Sequence, residues 1–306
     1  MNTIYHFSGA GNDFVVIDGR EGDVSSFREV ARIEALCREY KTDGLMILGQ
    51  EMPAQAGHDG GQQEEAVVMA DPDQPSVDFV MEFYNPDGSG GMMCGNGGRC
   101  IVAFADYLGI RPAAVERTAE GVTAAPGVFL FRAPDGLHTG EILKRPNDGL
   151  WEVRIKMIDV QGITLMFGGY FLNTGTRHFV KFVPDVEQVD IDTEGKAIRW
   201  DPAFAPIGTN VNFVHFAPDG LHVRTFEKGV EGETLACGTG LTASAIAAYR
   251  ISRPHPSGFP RNGSISYRLR ARQDWLAVDF APGPDETFTN VYLTGPAQLI
   301  SVTPGD

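Results

Sequence analysis

The stretch MCGNGGRC, residues 93–100, runs straight into CIVAFADYLG at 100–109, and it is answered later in the chain by ACGTGLTASAIAAY at 236–249. Each places a cysteine, Cys94 or Cys237, at a glycine-rich entrance to an apolar segment. The segment from Cys100 to Leu108 holds one charge, Asp106, and the segment from Gly240 to Tyr249 holds none. A helix that is apolar or small on every side belongs in an interior rather than on a surface. The pair therefore predicts two buried central helices, each opened by a cysteine.

Strand patterns surround them, with alternating or β-rich runs at TIYHF, DFVVID, GLMILG, VDFVMEFYN, VFLFRA, WEVRIKMIDV, GYFLNTG, HFVKFV, TNVNFVHF, HVRTF, WLAVDFA and VYLTG. Many strands and few helices give an α+β class: two similar halves, each a curved, mostly antiparallel sheet or barrel about one central helix. The chain has 306 residues, and single cores tend to stop growing at about 250–300 residues, which favours two units. The expected division is 1–134 plus 289–306 for the half carrying Cys94 and 135–288 for the half carrying Cys237. A further helix is expected from Ser26 to Tyr40, with Ser26 and Glu29 as a capping box and Val30, Ile33, Cys37 and Tyr40 along one stripe on a sheet. The segments 51–75 and 113–127 read as surface insertions.

Twenty-five Lys and Arg against 40 Asp and Glu give a net charge of -15, which argues against a nucleic-acid partner, since phosphate binding needs clustered cations. The start of the chain lacks the pattern of an export signal, and no uncharged apolar run approaches the roughly 20 residues that span a bilayer. A cytoplasmic protein without a membrane partner is expected, its four cysteines reduced. Their spacing fits no zinc site, and no metal is expected. Asn262-Gly263-Ser264 matches a glycosylation acceptor, discounted for a chain without an export signal.

At a helix start the first N–H groups have no partner within the helix, and the dipole places partial positive charge there. Gly95, Asn96, Gly238 and Thr239 can thus offer N–H groups to a carboxylate, while the same field favours thiolate over a thiol of ordinary pKa about 8.5. One thiolate and one thiol on opposite faces of an α-carbon would take a proton from one side and return it on the other, inverting the centre. A single such cysteine would read as a small core hydrophobe; two copies, each opening a buried helix, favour chemistry. Cys37 and Cys100 keep the core reading.

Taken in order, GAGNDFVVID, FYNPDGS, MCGNGGRC, NTGTRHFV, GTNVNFV and FEKGVEGETLACGTG resemble the diaminopimelate epimerase family over nearly the full length. The resemblance implies two halves with the site in the cleft between them, and cofactor-independent interconversion of LL- and meso-diaminopimelate. It implies Cys94 and Cys237 as acid and base, with His178 and Glu227 near the thiols. It also implies that the N–H groups of Gly95, Asn96, Gly238 and Thr239 hold the reacting carboxylate, and that Asn12, Asn85, Thr176, Asn210 and Lys228 belong to the substrate site. A homodimer is implied by the family alone.

The chain departs from the family pattern at the far end of the substrate. Lys228 stands where arginine commonly follows the glutamate, Thr176-Arg177-His178 where Asn-Pro-His is common, and Asp43-Gly44 near a family glutamine. A lysine is a point charge where arginine is a fork. Two other readings stay open: a racemase or epimerase of another amino acid, of the proline or hydroxyproline type, and a thiol redox or binding protein on the same scaffold. No lysine sits in a setting that suggests a pyridoxal Schiff base, and no cofactor is expected.

Overall fold

The structure is a computed structural model that describes residues 2–20, 22–51, 76–91, 93–252 and 263–304. The expected insertion at 51–75 and the Asn262 acceptor lie almost wholly outside the described residues. The chain divides into two compact units, one of residues 1–9, 13–153 and 297–306, the other of 10–12 and 154–296.

The first unit contains β1 (Thr3–Gly9), β2 (Asn12–Asp18), α1 (Val30–Tyr40), β3 (Gly44–Gly49), β4 (Phe79–Tyr84), α2 (Gly95–Tyr107), β5 (Arg117–Ala119), β6 (Val122–Ala124), β7 (Phe129–Ala133), β8 (Gly136–Asn147) and most of β9 (Leu150–Lys156). Its strands follow the order β1-β2-β3-β4-β7-β8-β9. The C-terminal part of β18 (Phe288–Pro304) returns to pair antiparallel with β1, Thr3 against Pro304 and Ser8 against Gln298, so this sheet closes. Closure removes the open edges that would otherwise offer unpaired backbone groups.

The second unit contains β10 (Ile163–Met166), β11 (Gly169–Asn173), β12 (Arg177–Phe182), α3 (Lys196–Arg199), β13 (Asn210–Ala217), β14 (Gly220–Glu227), β15 (Gly232–Thr234), α4 (Gly238–Ile251), β16 (Ile265–Arg270), β17 (Trp275–Pro282) and the start of β18. The order here is β18-β17-β16-β14-β13-β12-β11-β10, with β15 on β14.

The two units repeat one plan. In the first, β2 and β3 are parallel across α1, β3 and β4 antiparallel, and β4 and β7 parallel across α2. In the second, β12 and β13 are parallel, β13 and β14 antiparallel, and β14 and β16 parallel across α4. Parallel neighbours require a crossover long enough to return the chain, and in both units the last crossover is the buried helix led by a cysteine. The α+β class of two similar halves is thus the observed one.

The boundary falls at 153/154 and 296/297 rather than at 134/135 and 288/289. The reason is β8: a hairpin joins it to β7, with Phe129 opposite Gly140 and Ala133 opposite Gly136, so it stays with the strand before it. Strands β8 and β10 carry weak alternation and lie outside the runs expected as strands, as does β16, although its ISYRLR alternates strictly.

Helix α1 starts later than expected, and the capping box is not made. Ser25–Arg28 form a 3-10 turn in which the Glu29 N–H donates to the Ser26 carbonyl, so Glu29 becomes the N-cap and makes no side-chain cap bond. Ile33, Leu36 and Cys37 are buried as the stripe requires, while Val30 is exposed. The 113–127 insertion is also corrected. It holds the β5–β6 hairpin, whose Ala119 and Ala124 pack with Val77, Val80 and Leu130.

Every described residue of α2 except Tyr107 is buried, and α4 is buried from Gly240 to Ala248. Helix α2 is held by rings: Phe104 lies 4.8 Å from Tyr5 and 5.7 Å from Phe7, and Phe7 lies 5.9 Å from Trp151. Helix α4 is held by Tyr249, 5.8 Å from Phe280 and 6.1 Å from Phe288. Each large ring so buried contributes roughly 1.5–3 kcal/mol, and together they fix where the two helix starts point.

Candidate active site

Cys94 is the N-cap of α2. Its backbone is extended at φ -105° and ψ 154°, its Sγ accepts the Gly97 N–H at 3.2 Å, and its carbonyl accepts the Gly98 N–H at 2.8 Å. Glycines cost helix stability in general, but here the turn has no room for more. A Cβ on Gly97 would lie 3.3 Å from Cys94 Sγ and 3.4 Å from Met46 Sδ. Cys94 is exposed while the helix behind it is buried.

Two charged groups steady this end. The Met93 N–H donates to Asp135 Oδ1 at 3.1 Å, and the same oxygen lies 3.2 Å from His138 Nε2. Burial pushes the Asp135 carboxyl up, but the bonds from His138 and Met93 outweigh it and hold it below the usual carboxylate range. Arg99, fully buried, donates to the Gly95 carbonyl at 3.0 Å, Asn96 Oδ1 at 2.8 Å and the Gly9 carbonyl at 3.4 Å. The Gly95 carbonyl and the Asn96 side chain are therefore fixed from behind, with the N–H groups of both residues at the helix start.

Cys237 is the N-cap of α4, with φ -115° and ψ 107°, and is 8% exposed. Its Sγ lies 3.5 Å from Thr239 Oγ1, which in turn lies 2.9 Å from His178 Nε2. Thr174 Oγ1 donates to the Thr239 carbonyl at 2.8 Å and so fixes the same turn. His178 is fully buried, and burial pushes its pKa down to about 3. The imidazole is therefore neutral at physiological pH.

Asn210 stands beside His178 in the parallel register of β12 and β13. It is 3% exposed: its Oδ1 accepts the Lys228 N–H at 2.8 Å, and its Nδ2 donates to Thr176 Oγ1 at 3.2 Å and the Arg177 carbonyl at 3.0 Å. It thus braces the 174–178 turn against the strand end that carries Glu227 and Lys228. Glu227 Oε2 accepts from Thr234 Oγ1 at 2.9 Å. Asn12 follows Gly11, whose positive φ of 87° only glycine adopts without strain; a Cβ there would lie 3.1 Å from the Leu235 Cβ, two residues before Cys237.

Of the residues expected from sequence, Cys94, Gly95 and Asn96 share one helix start. Thr176, His178, Asn210, Gly238 and Thr239 gather about Cys237, with Lys228 joined through its backbone. Asn85 turns toward its own loop, donating to Ser89 Oγ at 3.0 Å and the Gly90 carbonyl at 3.4 Å. No disulfide is formed, and burial pushes the Cys37 and Cys100 thiols up, as core positions do. Sequence reading missed Arg99, Asp135, Thr174, Asn212 and Thr225. A signal existed for two: Arg99 is a lone cation in the first turn of an apolar helix, and Asn210 with Asn212 puts two amides on one face of an apolar strand.

Among the described residues no helix is long and apolar enough to cross a membrane. Residues 170–256 match the family model described as diaminopimelate epimerase. The chain is 34% identical over 304 residues to a diaminopimelate epimerase of Flavobacterium psychrophilum, covering 98% of each chain. It is 36% identical over 293 residues to one of Aquifex aeolicus, covering 95% of this chain and 93% of that one. Among solved structures it resembles a Bacillus anthracis protein of the PhzF family (phenazine biosynthesis) at TM-score 0.66 and 9% identity, covering 98% and 97% of the two chains. It also resembles a hydroxyproline epimerase of Agrobacterium vitis at TM-score 0.56 and 14% identity, covering 98% and 91%. These last two share the fold alone, whereas identity above one third across nearly the whole sequence is a matter of descent: the chain belongs to the diaminopimelate epimerase family.

Proposed function

We propose that the protein is an amino-acid epimerase, an isomerase that converts LL-diaminopimelate to meso-diaminopimelate by a two-base reaction of Cys94 and Cys237. The observation that carries this reading is that the last crossover of each unit is a buried helix N-capped by a cysteine. One sulfur, as thiolate, takes the α-proton; the other, as thiol, delivers a proton to the opposite face. The N–H groups at the starts of α2 and α4 receive the reacting carboxylate, where charge builds as the α-carbon loses its proton.

In this reading Arg99 and Asp135 position the Cys94 turn, while Asn210 and Thr174 position the Cys237 turn. Lys228 meets the far carboxylate as a point charge, with Asn12 and Thr176 nearby, and Glu227 lies at the same strand end. His178 acts through Thr239 rather than as a solvent-exchanging base. The relatives of comparable length and 34–36% identity are the ones named for diaminopimelate, which favours this substrate over a proline-type one.

The test is epimerisation in deuterated water. LL-Diaminopimelate is expected to yield meso product carrying deuterium at the inverted α-carbon. Unchanged, unlabelled substrate would overturn the assignment, and labelling of a different amino acid would move the substrate while keeping the chemistry.

A further inference from the structure

A chain of side chains in the second unit runs from Thr225 through Asn212, His178 and Thr239 to Cys237, and backbone groups at its flanks orient it. Asn212 Nδ2 lies 3.3 Å from the Phe179 carbonyl, which can only accept, so the NH2 group of the amide must face that way. Its Oδ1 then accepts from Thr225 Oγ1 at 2.9 Å. The second hydrogen of the same NH2 points at His178 Nδ1, 3.0 Å away. That nitrogen must be unprotonated, which leaves the proton of the neutral imidazole on Nε2.

His178 Nε2 lies 2.9 Å from both Thr239 Oγ1 and Thr176 Oγ1. Carrying the ring's proton, it donates to these hydroxyls, while Asn210 Nδ2, 3.5 Å away, directs its hydrogens to Thr176 Oγ1 and the Arg177 carbonyl. Thr176 Oγ1 also receives a hydrogen from Asn210 Nδ2 at 3.2 Å, and the Asn210 amide is oriented by the Lys228 N–H and the Arg177 carbonyl. Thr176 Oγ1, already accepting from Asn210, lies 3.2 Å from Thr239 Oγ1 and can turn its own hydrogen there, which leaves the Thr239 hydrogen for Cys237 Sγ, 3.5 Å from that oxygen.

We propose that Asn212 locks His178 as the Nε2–H tautomer so that Thr239 Oγ donates its hydrogen to Cys237 Sγ, holding this cysteine as the thiolate before substrate binds. Cys94 is served differently, by the backbone N–H of Gly97. The two sulfurs thus differ in what supports their charge: a main-chain amide for one, a hydroxyl aimed by a buried ring for the other. Hydrogen bonds to an ionised acceptor are stronger than neutral ones, so this donor favours the charged form of Cys237. The role deepens the epimerase reading and rests on it for its purpose, but its geometry lies wholly within one unit and needs no substrate.

Two measurements on the substrate-free full chain test it. Nitrogen-15 NMR of His178 is expected to show a protonated Nε2 and a pyridine-like Nδ1; a protonated Nδ1 overturns the proposal. In a Cys94→Ser background, the thiolate ultraviolet absorbance at neutral pH is expected to fall in Thr239→Val, the thiol-to-thiolate ratio shifting by roughly tenfold. Thr239→Ser keeps the hydroxyl and is expected to hold the parent signal. A Thr239→Val signal equal to the parent overturns the proposal. Because neither readout involves turnover, a protein that passes both yet leaves diaminopimelate unlabelled would sink the substrate assignment and leave the hydrogen-bond chain standing.

Discussion

The side-chain amide nitrogen of Asn212 lies 3.0 Å from Nδ1 of His178, in a site where the ring has no exposed surface. The ring is therefore folded in its neutral form, its pKa pushed from the ordinary 6.5 down to about 3 by burial. The sign follows from proton counting. Above pH 6.5 the ring is neutral both folded and unfolded and contributes no pH dependence. As the pH falls below 6.5 the unfolded chain gains a proton that the folded one cannot, and stability drops by up to about 1.4 kcal/mol per pH unit from this group. Urea unfolding at pH 7 and pH 5 should show that loss, and a His178→Gln protein should show less of it; equal slopes would count against the assignment.

Adding one methyl group separates the two helix starts. A Cβ on Gly240 would collide with Asn212 Oδ1 and lie 3.3 Å from Cys237 Sγ, whereas a Cβ on Gly97 lies 3.3 Å from Cys94 Sγ, 3.4 Å from Met46 Sδ and 3.7 Å from the Met81 methyl, side-chain atoms that can give by a few tenths of an ångström. Gly240→Ala is expected to destabilise the fold by about 1–3 kcal/mol, as overpacking does, and to abolish turnover. Gly97→Ala is expected to keep its melting temperature within a few degrees and to lose activity through displacement of the Cys94 thiol. Thermal melts beside initial rates check both.

Asp135 tests how far the Cys94 turn depends on a single anchor. Asp135→Ala removes the acceptor of the Met93 N–H and the partner of His138. Misplacement of a reacting group by about 1 Å can cost on the order of 100-fold in rate. A fall in kcat of at least tenfold with little change in KM is expected; a change confined to KM would instead place Asp135 among groups that grip the substrate.

Replacing either sulfur should stop the reaction, with a loss on the order of 100-fold to 10,000-fold. The two replacements are expected to differ in exchange. Cys94→Ser retains the thiolate at Cys237 and should still wash α-deuterium into one stereoisomer of diaminopimelate without inverting it. Identical labelling of both stereoisomers by that variant would argue against a two-base reaction.

Lys228 carries the clearest departure from the family pattern. Its backbone N–H is held by Asn210 at 2.8 Å, so the start of its side chain is fixed. Lys228→Ala is expected to raise KM for LL-diaminopimelate by about tenfold or more with kcat less affected, as loss of a grip on a remote group does. Lys228→Arg should lower KM if the fork reaches the far carboxylate in two places. A KM unchanged in both would remove Lys228 from the substrate site.

The sequence by itself determined the class and the two helix starts. Segments so largely apolar belong in an interior, and a glycine-led helix start offers N–H groups wherever it falls, so the buried α2 and α4 and the placement of Cys94 and Cys237 were legible from residue type and order. The strands with strong alternation were legible for the same reason.

What only the tertiary structure decided depends on contacts between residues far apart in the chain. The capping box at Ser26 lost to a 3-10 turn, the hairpin at 117–124 gained a core through Val77, Val80 and Leu130, and β8 joined the first unit by pairing with β7. The state of His178 is the sharpest case. A histidine near a cysteine reads equally as base, acid or bystander, because its proton follows the partner of each nitrogen. Here that partner is Asn212, 34 positions later in the chain, brought alongside by the parallel register of β12 and β13.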